Sequence, residues 1–165
     1  TVAPAVATGS RTVSAALVDV EEQCGRWPYE VDGLGNAVFS DDPNVPSLLA
    51  LPYLGWRSAA DPTYQATRQY LLSPSNPGWR SSALAEGLAS EHTPVTHIWP
   101  LSIAVRGLTA TSRDEQLACL RMLEATDSGT GCMHESFDMH DPSTYTRAWF
   151  SWADITYVEL ALRAR

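Results

Sequence analysis

Lysine is absent from this sequence, and every one of its 11 basic side chains is an arginine. Against these stand 19 acidic residues, for a net charge of -8, so there is no basic stripe to neutralise phosphates and no nucleic acid partner is expected. Long apolar runs are missing too. None approaches the roughly 18 residues that a helix needs to span a bilayer, and no membrane partner is expected. Cysteine is scarce: Cys24, Cys119 and Cys132 form an odd set without a CxxC spacing. That speaks against both a disulfide framework and a zinc site, and buried free thiols are the expectation.

What is present is apolar content of 44% in 165 residues, enough for one domain with a core. Helical periodicity dominates. Val13, Ala16, Leu17, Val20 and Cys24 recur on one face of a helix over 10–24, which Gly25 ends. A turn-rich stretch over 28–43 is followed by a helix from about Asn44, with Pro46 in its first turn and Pro52 bending or ending it. Asp61-Pro62 caps and opens a helix that runs to about Leu72. Residues 98–108 are apolar nearly all round and predict a buried helix. Ser112 and Glu115 form a capping box for a surface helix with the stripe Leu117, Leu120 and Leu123. A last helix, over 146–163, carries Trp149, Phe150, Trp152, Ile155, Val158 and Leu160 around its girth and is expected to be buried.

Loop, buried helix and surface helix thus repeat about every 50 residues, and such hairpins bury their inner faces only in a solenoid or a closed double ring of helices. The expected fold class is all-α. The loops preceding the buried helices would then gather at one end.

Those loops hold the residues with chemistry. The segment YEVDGLGN, with the following DDPN, packs four carboxylates, two amides and an aromatic ring into a turn-forming stretch. Such groups match sugar hydroxyls and CH faces, although Asp and Asn also serve as plain turn residues. The segment lacks the alternation and terminal glutamate of an EF-hand calcium loop. SEHTP and HIWP bring His92, His97 and Trp99 to the mouth of a buried helix, either as substrate contacts or as a structural His-Trp pair. In TDSGTGCMHESFD, the zinc-protease pattern fails because Asp138 stands where a second histidine is required. No strand-turn-helix elbow surrounds Ser136. Glu135, beside His134, reads either as a carboxylate set to activate water or as a capping or salt-bridging glutamate.

Taken together and in order, YEVDGLGN, DDPNVPSLLALPYLG, DPTYQATRQYLLSPSNP, SEHTP with IWP, TDSGTGCMHESF and HDPSTYTRAWFSWAD resemble glycoside hydrolase family 125. The similarity runs from about residue 29 to the end. It implies that residues 1–165 are the C-terminal part of a single (α/α)6 barrel domain built from helix hairpins. It further implies an exo-acting α-1,6-mannosidase that inverts configuration, without a cofactor or metal. The glutamate of the MHESF motif is the family's general base and falls on Glu135. The general acid is an aspartate expected upstream. Asp32, Asp42, Asn44, His92, Trp99, His134 and Arg147 are expected to hold the sugar, an α-mannoside or an N-glycan-derived oligosaccharide. An inverting mechanism sets acid and base about 6.5 to 9.5 Å apart, with water between. The alternative is a non-catalytic carbohydrate-binding or scaffold module that keeps the sugar-facing loops without the acid.

Overall fold

The computed structural model describes residues 24–165. The helix expected over 10–24 lies outside the described residues except for its last, Cys24, which is exposed.

Among the described residues, four helices alternate with seven short strands: β1 (Glu30–Val31), β2 (Ala37–Val38), α1 (Pro62–Leu71), β3 (Trp79–Ser81), β4 (Glu86–Leu88), β5 (His97–Ile98), α2 (Pro100–Leu108), α3 (Arg113–Ala125), β6 (Ser136–Asp138), β7 (Tyr145–Thr146) and α4 (Ser151–Arg163). With 32% helix and 12% strand the fold is mixed α/β, and this overturns the all-α expectation and the ring of helix hairpins. The reason is local. Segments read as loops pair as antiparallel strands of two or three residues, too short for an alternating pattern to show. The helix expected from Asn44 is also missing, replaced by turns around a cis Val45–Pro46 bond. Here the buried Asp41 carboxylate accepts the N–H groups of Leu48 (3.0 Å) and Leu49 (2.9 Å).

The other helices start where their caps direct. Asp61 accepts from the Tyr64 amide and Pro62 fills the first turn of α1. Ser112 accepts from the Glu115 amide at the start of α3. The Glu115 side chain, though, turns inward: its Oε1 accepts from Arg68 of α1 and from Arg106 of α2, each at 3.0 Å. Burial raises the pKa of that carboxyl, but the two guanidinium groups outweigh it and hold it below the usual range.

Helix α2 is the centre of the core, buried along nearly its whole length and packed on both α3 and α4. Gly107 permits the closest approach, since a Cβ there would lie 2.6 Å from Leu160 Cδ2 of α4. Helix α4 departs from expectation. It begins at Ser151 because Tyr145 and Thr146 are taken into β7, and it buries only Ala153, Thr156 and Leu160 while Trp152, Ile155, Val158 and Leu162 are exposed. The cysteines divide as well: Cys119 is buried, Cys24 exposed and Cys132 half-buried, all three free.

Candidate active site

The site is built on the three-stranded sheet β5-β6-β7, whose register pairs His97 with Asp138, and Ser136 with Thr146. A row of polar side chains crosses it. His97 Nδ1 meets Ser136 Oγ at 2.8 Å, and Ser136 Oγ meets Thr146 Oγ1 at 2.7 Å. Burial pushes the His97 imidazole below its ordinary pKa, partly offset by Asp138. Thr96 donates to Asp138 Oδ2 at 2.5 Å and its carbonyl accepts from Met139, which joins the loop before β5 to the end of β6.

Glu135 stands immediately before β6 and Arg147 immediately after β7. The antiparallel register therefore sets them side by side, with the Glu135 amide donating to the Thr146 carbonyl at 3.2 Å. Arg147 Nε lies 2.9 Å from Glu135 Oε1. The glutamate side chain is 16% exposed and the arginine 65%, so the pair lies at the surface of the site with the carboxylate sheltered. Arg147 has a left-handed backbone, φ 51°, and its guanidinium lies 5.8 Å from the Phe150 ring. The preceding residues are pinned from the other side. Met133 donates its N–H to Asp154 of α4 and accepts from the Phe150 amide, both at 2.7 Å.

His134 is fully buried, stacked at 3.7 Å on Tyr145. Its Nδ1 lies 2.9 Å from the Ala148 carbonyl and 3.2 Å from that of Arg147, and its Nε2 lies 3.2 Å from the Asp127 carbonyl. This ring has no exposed face to offer a sugar.

A cleft of about 820 Å³ opens nearby, lined among others by Tyr29, Asp41, Asp42, Ser90, His92 and Thr93. Asp42 is held in place: Oδ1 accepts from the Asn44 amide (2.9 Å) and Nδ2 (2.7 Å), and Oδ2 from Ser90 Oγ (3.1 Å). Asn44 thus orients Asp42. His92 is exposed in the cleft. Trp99 is buried behind it, where its Nε1 donates to Thr93 Oγ1 at 2.9 Å. The Trp99 ring meets Phe150 edge-on at 5.9 Å, so a chain of side-chain contacts through Thr93, Trp99, Phe150 and Arg147 links the cleft wall to Glu135, which does not itself line the cleft.

Asp32 is not brought to the cleft. It is exposed at the tip of the β1-β2 hairpin, where its carboxylate accepts from the Leu34 amide (2.7 Å) and from the Asn36 side chain (2.5 Å) and amide (3.1 Å). The Asn36 side chain, and then the Leu34 amide, hold its pKa below the usual range. Sequence reasoning passed over Asp41, the buried neighbour of Asp42. Desolvation pushes its carboxyl up to about 7, against the lowering influence of the Leu49 and Leu48 amides. The signal was the Asp41-Asp42 doublet, of which Asp41 turns inward to accept backbone amides while Asp42 stays half-buried.

Among the described residues, no group of three or more His, Cys, Asp or Glu is arranged to hold a metal ion, and no helix is long and apolar enough to cross a membrane.

Comparison with known proteins assigns the chain to one family. The family described as metal-independent alpha-mannosidase (GH125) matches residues 6–162. The "Meiotically up-regulated gene 157 protein" of Schizosaccharomyces pombe is 42% identical over 137 residues, which is 82% of this chain and 27% of that protein. A solved structure of a metal-independent alpha-mannosidase from Streptococcus pneumoniae, described as a non-productive substrate complex with alpha-1,6-mannobiose, is 50% identical. It superposes with a TM-score of 0.82 over 84% of this chain and 33% of its own length. The class these matches define is the glycoside hydrolases. Within it, this chain belongs to the metal-independent α-mannosidase family, GH125. It spans 27% and 33% of the two relatives' lengths.

Proposed function

We propose that the protein of which these residues form part hydrolyses terminal α-1,6-linked mannose with inversion of configuration, and that Glu135 is its general base. The observation that carries the reading is the setting of Glu135. Its sheltered carboxylate is fixed by strand register and faces a guanidinium, which is linked through Phe150, Trp99 and Thr93 to the wall of a cleft lined by hydroxyl, carboxylate and imidazole groups. The α-1,6-mannobiose held by the 50%-identical relative supports the substrate class.

In this mechanism Glu135 takes a proton from water as the oxygen attacks the anomeric carbon. The leaving oxygen receives a proton from an acid on the opposite face of the sugar. That acid is an aspartate outside these 165 residues. Asp42, oriented by Asn44 and Ser90, and His92 bind sugar hydroxyls in the cleft. Trp99 supports the cleft wall through Thr93, His134 supports the base loop, and Arg147 pairs with the base.

The test is the anomer released from 1,6-mannobiose by the full-length protein, followed by proton NMR from the first turnovers. β-Mannose as first product supports the reading. α-Mannose contradicts inversion, and no mannose with retained binding favours a carbohydrate-binding module instead.

A further inference from the structure

Ser128 and Arg147 are the two non-glycine residues with positive φ among the described residues. A left-handed backbone is unfavourable for any residue with a Cβ and persists where the surroundings over-determine it. At Arg147 the Glu135 amide holds the preceding Thr146 carbonyl, and one side chain reaches the carbonyls of the turn itself. The carbonyls of Arg147 and Ala148 both converge on Nδ1 of His134, at 3.2 and 2.9 Å. The ring is anchored in turn by its stack on Tyr145, nearly parallel at 2°, and by the Asp127 carbonyl facing Nε2. Apart from the Phe150 ring, 5.8 Å away, side-chain packing offers little to hold the guanidinium itself, since the Arg147 side chain is 65% exposed. Its place beside Glu135 is therefore set by the backbone from which it projects.

We propose that His134 is a positioning residue, whose buried ring holds the left-handed turn at Arg147 and thereby delivers the Arg147 guanidinium to Glu135; its effect on turnover rests on Glu135 being the base. Adjacent residues then divide the work. Glu135 faces the site, while His134 faces inward and fixes the counter-ion.

The test uses H134F, which keeps a flat ring on Tyr145 and removes both ring nitrogens. In a crystal structure of the full-length H134F protein, Arg147 is expected to leave the left-handed region and its Nε to move out of contact with Glu135. An unchanged Arg147 overturns the proposal. In kinetics on 1,6-mannobiose, H134F is expected to lower kcat by about 10- to 100-fold with KM little changed.

R147G supplies the second arm, because glycine adopts the left-handed turn freely but carries no guanidinium. In the R147G background H134F is expected to lower kcat by less than about twofold further. An equal loss in both backgrounds overturns the proposal, because His134 would then act independently of Arg147. H134Q, which keeps a side-chain N–H for the same carbonyls, is expected to retain the turn and most of the turnover. If it loses both as fully as H134F, an N–H offered to those carbonyls does not hold the turn, and the proposal falls. Should E135Q keep normal turnover, the base assignment fails, while the crystal structure still decides whether His134 holds Arg147.

Discussion

Ser90 donates its hydroxyl to Oδ2 of Asp42 across 3.1 Å, tying the loop before β5 to the loop after β2. With the Asn44 contacts on Oδ1, this leaves Asp42 one orientation, facing the cleft that it shares with His92. Asp42→Ala in the full-length protein is therefore expected to raise KM for 1,6-mannobiose by about 10- to 100-fold, the loss of one or two hydrogen bonds to a charged group. Ser90→Ala, which frees the carboxylate without removing it, is expected to have a smaller effect in the same direction. Steady-state kinetics check both, and an unchanged KM in Asp42→Ala removes Asp42 from the sugar site.

Asp41 predicts a pH dependence of stability. Burial raises its folded-state pKa to about 7, above the ordinary carboxylate value of 3.8. Between those values the folded chain binds more protons than the unfolded one, so stability is greatest below the unfolded pKa and declines as pH rises through the folded pKa. The contribution of this one group approaches a slope of about 1.4 kcal/mol per pH unit within that window. Urea unfolding at pH 5, 6, 7 and 8 measures it, and Asp41→Asn, neutral throughout, is expected to lack this component.

Gly107 predicts a packing penalty. A Cβ at this position would lie 2.6 and 2.8 Å from the two Leu160 methyl carbons and 3.1 Å from Cys119 Cβ, with Leu160 and Cys119 fully buried. Gly107→Ala is expected to destabilise the fold by about 1 to 3 kcal/mol through overpacking, despite the better helix propensity of alanine. Thermal unfolding checks it. A stabilised variant would show that α2 and α4 separate easily.

The sequence was most legible where the periodicity is long. Helices α1 and α3 start at the caps that Asp61 and Ser112 announce, while α2, expected from Ile98, opens at Pro100 because His97 and Ile98 form β5, and it is buried as its all-round apolar composition demands. It was least legible where two or three residues pair across a loop. Nothing in Glu30-Val31 or Tyr145-Thr146 distinguishes a strand from a turn until the partner strand is in place. The three motif loops do meet, through Ser90 with Asp42 and Thr96 with Asp138. The role of each side chain within them was harder to read. Asp32 serves its own hairpin and His134 points inward because backbone amides and carbonyls claim them, and one-dimensional spacing does not record where those groups point.

The 165 residues expressed alone are expected to release no mannose from 1,6-mannobiose, because departure of the glycosidic oxygen needs an acid across the bond from Glu135. Release of mannose by the purified chain, abolished by Glu135→Ala, would place the acid within it, and Asp41 and Asp42 would be the first carboxylates to test.

The central claim is that Glu135 removes a proton from the attacking water. The most direct measurement is turnover of 1,6-mannobiose by full-length Glu135→Gln, paired with calorimetric binding of the same disaccharide. The amide keeps the shape of the carboxylate but accepts no proton, so kcat is expected to fall by about 10² to 10⁴-fold while binding is retained. Turnover near that of the unsubstituted protein would contradict the account.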